Sequence, residues 1–141
     1  MATSRSRKKS PEQMSNALDR AMAAARTAAE NRAENVVILD MHEVTPVFDY
    51  FIVATGGSRR QLHAIADEID QTLRKEMGDK RLGREGLDDS RWILLDFGDI
   101  VIHLFDEETR EYYDLEQLWS DAKRIPFEAP AKESPNLRLR K

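Results

Sequence analysis

The sequence contains no cysteine. That excludes disulfides, a thiol nucleophile and thiolate metal sites, and it is the usage expected in a reducing cytosol. No apolar run approaches the about 20 residues needed to cross a bilayer. The N-terminus has no apolar stretch of the kind a secretory signal requires. Aromatics make up only 7% of the chain and are not interleaved with basic residues, so the stacking platform of single-stranded nucleic-acid binders is missing. The histidines, His42, His63 and His103, lie far apart without ligand spacing. Each reads as a structural histidine, and His103 sits inside an apolar strand pattern. No Ser/His/Asp arrangement is legible around Ser58.

What is present is a single domain's worth of chain, 141 residues with tails, large enough for one modest core. The net charge of −4 hides a split. Arg5, Arg7, Lys8 and Lys9 near the start, and Lys132, Arg138, Arg140 and Lys141 near the end, face only Glu12, Glu128 and Glu133. Removing these 8 basic and 3 acidic residues leaves 14 basic and 23 acidic between 15 and 125, a net of −9. An acidic body repels naked nucleic acid and suits a basic protein surface. Residues 1–9, basic and Ser-rich, read as a disordered segment. They have some character of an organelle transit peptide, but the acid-free run is very short, and a cytoplasmic location is expected. From Pro126 prolines and scattered charges indicate a disordered tail, 126–141.

Between these ends the pattern alternates. Ser10-Pro11-Glu12-Gln13 is a helix start, with Ser as N-cap and Gln placed to close a capping box. The alanine-rich helix that follows, to about Asn31, offers Met14, Ala17, Leu18, Ala21 and Ala25 on one face, a weak stripe that predicts loose packing. Asn35–Met41 and Asp49–Thr55 are aliphatic runs that read as buried strands. Gly56-Gly57-Ser58 leads into a helix capped by Ser58, with Gln61 at the capping-box position. Its apolar face is Leu62, Ile65, Ala66, Ile69 and Leu73, and Gly78 is its stop. Residues 78–90 read as loop. Two apolar runs, 92–95 and 100–105, flank Asp96-Phe97-Gly98-Asp99 and form a hairpin. Short helical pieces follow, one from Asp106 through Arg110, another with Leu115, Leu118 and Trp119 on one face. The predicted fold is α/β, a mixed sheet of four or five strands with helices packed on it, spanning 10–125.

Three constellations bear on chemistry. The Thr55-Gly56-Gly57-Ser58 turn opens a helix and resembles an anion cup, yet it lacks both the Walker and the Rossmann spacing, so an ordinary capped turn is the plainer reading. Asp96 and Asp99, with Asp88 and Asp89 upstream, span a turn rather than one strand face, so a solvated turn is preferred over a metal site. Trp92 opens a strand beside a polar loop and reads either as a partly exposed binding anchor or as core. Tyr112, Tyr113, Leu115, Leu118 and Trp119 read as core packing, or as packing extended across a dimer interface.

The motifs taken together resemble the ribosomal silencing factor S family, also called iojap-like. They are Asp40, Asp49–Leu62, Ile65-Ala-Asp-Glu68, Glu85-Gly86, Trp92–His103 and Arg110–Trp119, in the family's order and spacing over about residues 15–122. The family commonly carries a Ser-Ser-Arg triplet after the turn, where this chain has Ser58-Arg59-Arg60 after a second glycine. The resemblance implies a nucleotidyltransferase-like fold that has lost catalysis, without cofactor, metal or catalytic residues, and a homodimer. It also implies binding to the large ribosomal subunit through its protein number fourteen, on the face that meets the small subunit, so that joining is blocked when nutrients are short. Contact is expected from Trp92, Asp96, Phe97, Gly98 and Asp99, with Glu85 and Gly86 nearby. Trp92 and Phe97 would be apolar anchors, and Asp96 and Asp99 would pair with Lys or Arg of the partner. The basic ends are expected to touch ribosomal RNA. The alternatives are a small magnesium-dependent nucleotidyltransferase using the Gly-Gly-Ser turn, and a dimeric adaptor of another complex.

Overall fold

Two apolar strands form the centre of the molecule because every residue in them is buried. They are β2 (Tyr50–Thr55) and β5 (Ile100–Phe105), paired in parallel with Ile52 opposite Ile102. Continuous rather than alternating apolar runs are what a strand covered on both faces requires. The computed structural model describes the backbone of residues 11–128 and the side chains of 16–128. The expectations for residues 1–9, Ser10, Met14 and the tail beyond Glu128 lie outside these described residues.

Around the central pair the sheet grows to six strands in the order β3-β4-β5-β2-β1-β6, where β1 is Glu34–Asp40, β3 Gly83–Leu87, β4 Trp92–Asp96 and β6 Lys123–Ile125. Every pairing except β2 with β5 is antiparallel. The sheet therefore has six strands, not four or five. Both additions are edge strands without an apolar run. Gly83–Leu87 was expected to be loop. It contains two glycines, an arginine and a glutamate, and is a strand because β4 offers it a ladder. Lys123–Ile125 pairs with β1, Ile125 opposite Ile38, at the boundary where the domain was expected to end.

Two helices cover one face. Helix α1 (Pro11–Glu30) buries Ala17, Ala21, Ala24, Ala25 and Ala28 completely. The weak stripe does not pack loosely: alanines at helical spacing let the backbone lie close to the sheet, at no cost in side-chain entropy. Helix α2 (Arg59–Gln71) buries Leu62, Ile65, Ala66 and Ile69 and runs into a π-helical turn, Thr72–Glu76, that buries Leu73. Gly78, at φ +71°, follows that turn.

The other face is covered more thinly, by α3 (Glu107–Tyr113), α4 (Leu115–Leu118) and the segment 41–49 over Leu39, Phe51, Val53, Val101 and Phe105. Arg110 fixes α3 there. Its guanidinium forks onto Glu116 at 3.0 and 2.8 Å, and also donates to the Asn35 carbonyl and to Thr55 Oγ1, at the ends of β1 and β2. The hydrogen bonds from Arg110 hold the Glu116 carboxyl below the ordinary range against the opposing effect of burial. Leu115 is buried as expected. Leu118, predicted to share its face, is 69% exposed.

Candidate functional site

The period of a strand divides the expected contact residues between two faces. Trp92, Leu94 and Asp96 point away from α1 and α2, and their cross-strand neighbours on β3 are Leu87, Glu85 and Gly83. Ile93 and Leu95 enter the core beneath the helices, and Phe97 joins them there.

Trp92 is half-buried and held on three sides. Its ring stacks on Phe105 (centroids 4.9 Å, 28°) and tilts against Tyr113 (4.9 Å, 48°). Its indole Nε1–H donates to His103 Nδ1 at 3.2 Å. His103 is buried, and burial pushes its pKa down to about 3, so the ring is neutral. Beside this cluster Tyr112 is 79% exposed and Tyr113 40%. With half-buried Leu87 and Leu94 and exposed Glu85 they form a partly apolar surface with an acidic rim. The exposure of the two tyrosines was not expected from sequence. They lie on a seven-residue helix too short to show a periodic face.

The hairpin turn is built differently. Asp96 Oδ1 accepts the Gly98 N–H at 2.8 Å, and Gly98 adopts φ +94°, where a side chain would be strained. Phe97 is only 4% exposed, so it is not a surface anchor. It plugs the turn into the helix-side core. The Asp99 carboxylate is likewise engaged within the chain, taking both Nη atoms of Arg20 at 3.1 and 2.5 Å. The same guanidinium reaches Asp79 at 2.6 Å. Burial opposes the Arg20 charge, but the bonds and charges of Asp99 and then Asp79 prevail and raise its pKa. The Asp99 carbonyl also accepts the Asp49 N–H at 2.7 Å. Asp99 thus ties α1 to the sheet. Gly86 faces the turn at Ser90, whose Oγ lies 2.8 Å from where a Cβ would stand. The seven expected residues do not form one patch: Trp92, Glu85 and Asp96 share a face, while Phe97, Gly98, Asp99 and Gly86 serve the frame.

The glycine turn is occupied by its own chain. Ser58 Oγ caps α2 by accepting the Gln61 N–H at 3.1 Å, and Gln61 Oε1 accepts the Gly57 N–H at 2.6 Å. Gln61 Nε2 donates to the Arg32 carbonyl at 3.2 Å. A cleft of about 580 Å³ beside it is lined by Glu34, Asp106 and Glu107 against Arg32, a net negative set that disfavours phosphate. Elsewhere His42 sits between Asp40 (2.5 Å) and buried Asp49 (3.2 Å), joining the segment 41–49 to the sheet. Among the described residues no group of three or more His, Asp or Glu side chains is arranged to hold a metal ion.

Comparison with known proteins agrees with the motif resemblance. Residues 14–140 match the family described as "Ribosomal silencing factor during starvation". The match runs past residue 122, where the resemblance was expected to end. The ribosomal silencing factor RsfS of Bacillus subtilis is 44% identical over 100 residues, 70% of this chain and 83% of that protein. A mouse protein named "Mitochondrial assembly of ribosomal large subunit protein 1" is 34% identical over 93 residues, 64% of this chain and 41% of its own length. A crystal structure of a Chromobacterium violaceum protein superposes with a TM-score of 0.66 at 32% identity, covering 89% of this chain and 98% of that one. With its motifs, its sheet and its relatives in agreement, this chain belongs to the ribosomal silencing factor family.

Proposed function

We propose that this protein represses translation without catalysis, by occupying the large ribosomal subunit where the small subunit joins. The partner is ribosomal protein number fourteen of the large subunit, and the setting is nutrient limitation in the cytoplasm. The observation that carries the reading is the aromatic surface of Trp92, Tyr112 and Tyr113 beside Glu85. Aromatic anchors with a charged rim suit a protein partner, and the net −9 of residues 15–125 suits a basic one. The name of the mouse relative points to the large ribosomal subunit. In this reading the fold is nucleotidyltransferase-like and put to a steric use. Gln61 filling the glycine turn, beside an acidic cleft, supports that. The free protein is a homodimer, and the basic residues of both ends touch ribosomal RNA.

Of the expected contacts, Trp92, Asp96 and Glu85 are retained as direct ones. Phe97, Gly98, Asp99 and Gly86 act by holding the hairpin. The test is co-sedimentation with isolated large and small subunits. Wild type is expected to pellet with large subunits only, Trp92→Ala to stay in the supernatant, and Asp99→Ala to pellet if folded. Equal pelleting of wild type and Trp92→Ala would contradict the assignment.

A further inference from the structure

We propose that His103 is a positioning residue for the binding surface, holding the Trp92 indole with its N–H turned into the protein and its apolar ring available to a protein partner. This rests on the reading that Trp92 belongs to that surface.

The juxtaposition comes from the register of β4 and β5. Trp92 lies opposite Phe105 and Leu94 opposite His103, so Trp92 and His103 are diagonal neighbours on one face, within reach of aromatic side chains. Indole nitrogen can only donate, so the 3.2 Å bond requires a lone pair on His103 Nδ1 and puts the proton of the neutral ring on Nε2. That Nε2 is buried and has no hydrogen-bond partner among the described residues. Its ring meets Phe51, Trp92 and Phe105. A buried donor without a partner is unfavourable, and an aliphatic residue such as Val101, two positions away on the same face of β5, would fill the site without that cost. What histidine supplies and leucine cannot is an acceptor for the indole proton. Stacking on Phe105 and the tilted contact with Tyr113 set where the ring lies. The bond to Nδ1 sets which edge faces inward. Without an acceptor the N–H must turn towards water, and the surface presented to a partner changes from apolar to polar.

The experiment uses the full chain with His103→Leu, which removes the acceptor, and His103→Asn, whose Oδ1 falls near the position of Nδ1. Nitrogen chemical shifts are expected to show wild-type His103 protonated at Nε2. The Trp92 indole N–H signal should move in His103→Leu and return towards its wild-type position in His103→Asn. Large-subunit affinity should fall by about tenfold in His103→Leu and recover to within about threefold in His103→Asn, the scale of an interface anchor misplaced rather than removed. Protonation at Nδ1, or a folded His103→Leu that binds like wild type, would overturn the proposal. If His103→Leu does not fold, the tautomer and the His103→Asn arm decide. If wild type itself does not bind large subunits, or Trp92→Ala binds as well, the proposed function fails instead, and the indole and tautomer signals still judge the positioning.

Discussion

At the scale of single residues, the two aromatic groups nearest the hairpin have opposite roles. Phe97→Ala removes a ring from the helix-side core and is expected to cost about 3 kcal/mol or more in urea unfolding. Trp92→Ala acts on a half-buried ring and should chiefly cost binding. Asp99→Ala is expected to cost about 2 kcal/mol of stability, because the largely buried Arg20 then loses its two-pronged carboxylate and keeps Asp79 and the Asn16 amide oxygen. His103 adds a pH dependence. Its folded pKa is about 3 against an ordinary 6.5, so the unfolded chain binds the proton more readily. Its contribution is fully present above pH 6.5 and declines as pH falls towards 3. Between pH 7 and 5 the wild type should lose about 2 kcal/mol through this group, a loss absent from His103→Leu in parallel denaturation curves. The sequence marked Trp92 as a candidate, an amphipathic residue opening a strand beside a polar loop. It could not separate Phe97 from it, because the change of face at the turn depends on how Asp96 and Gly98 close it.

At the scale of elements, what the sequence made legible was what its apolar periodicity encodes. β1, β2, α2 and the hairpin lie where aliphatic runs and capping residues put them, since burial and local hydrogen bonding act in the same direction there. β3 and β6 were hidden because edge strands need only a neighbour's ladder, and their side chains are largely exposed. The strength of α1 was hidden as well, because alanine carries little hydrophobic signal while allowing close approach. Glycine positions at the turns give a direct test. Gly98→Ala puts a side chain at φ +94° and should lower stability by about 1 kcal/mol or more. Gly56→Ala places its Cβ 2.7 Å from Leu62 Cδ2 and should destabilise α2's docking, read by the same unfolding curves.

At the scale of the whole molecule, two thick helices cover one face of the sheet, and the other is left to short helices, an arginine clamp and an aromatic cluster. That asymmetry puts the partly exposed aromatics on the thinly covered side. Only the composition of this surface could be read in advance, in the acidic body and Trp92. Its assembly depends on the β4–β5 register and on α3 being pinned by Arg110, contacts between residues distant in sequence. If the acidic rim steers the protein to a basic partner, added salt should slow association more than it speeds dissociation, measured by surface-immobilised large subunits. Occupancy of the large subunit is expected to prevent joining. This is tested most directly by mixing purified large and small subunits with the protein and resolving them on a sucrose gradient. The joined peak is expected to fall as protein is added, with the protein migrating with free large subunits, and Trp92→Ala is expected to leave the joined peak intact. A joined peak that persists while carrying the wild-type protein would contradict it.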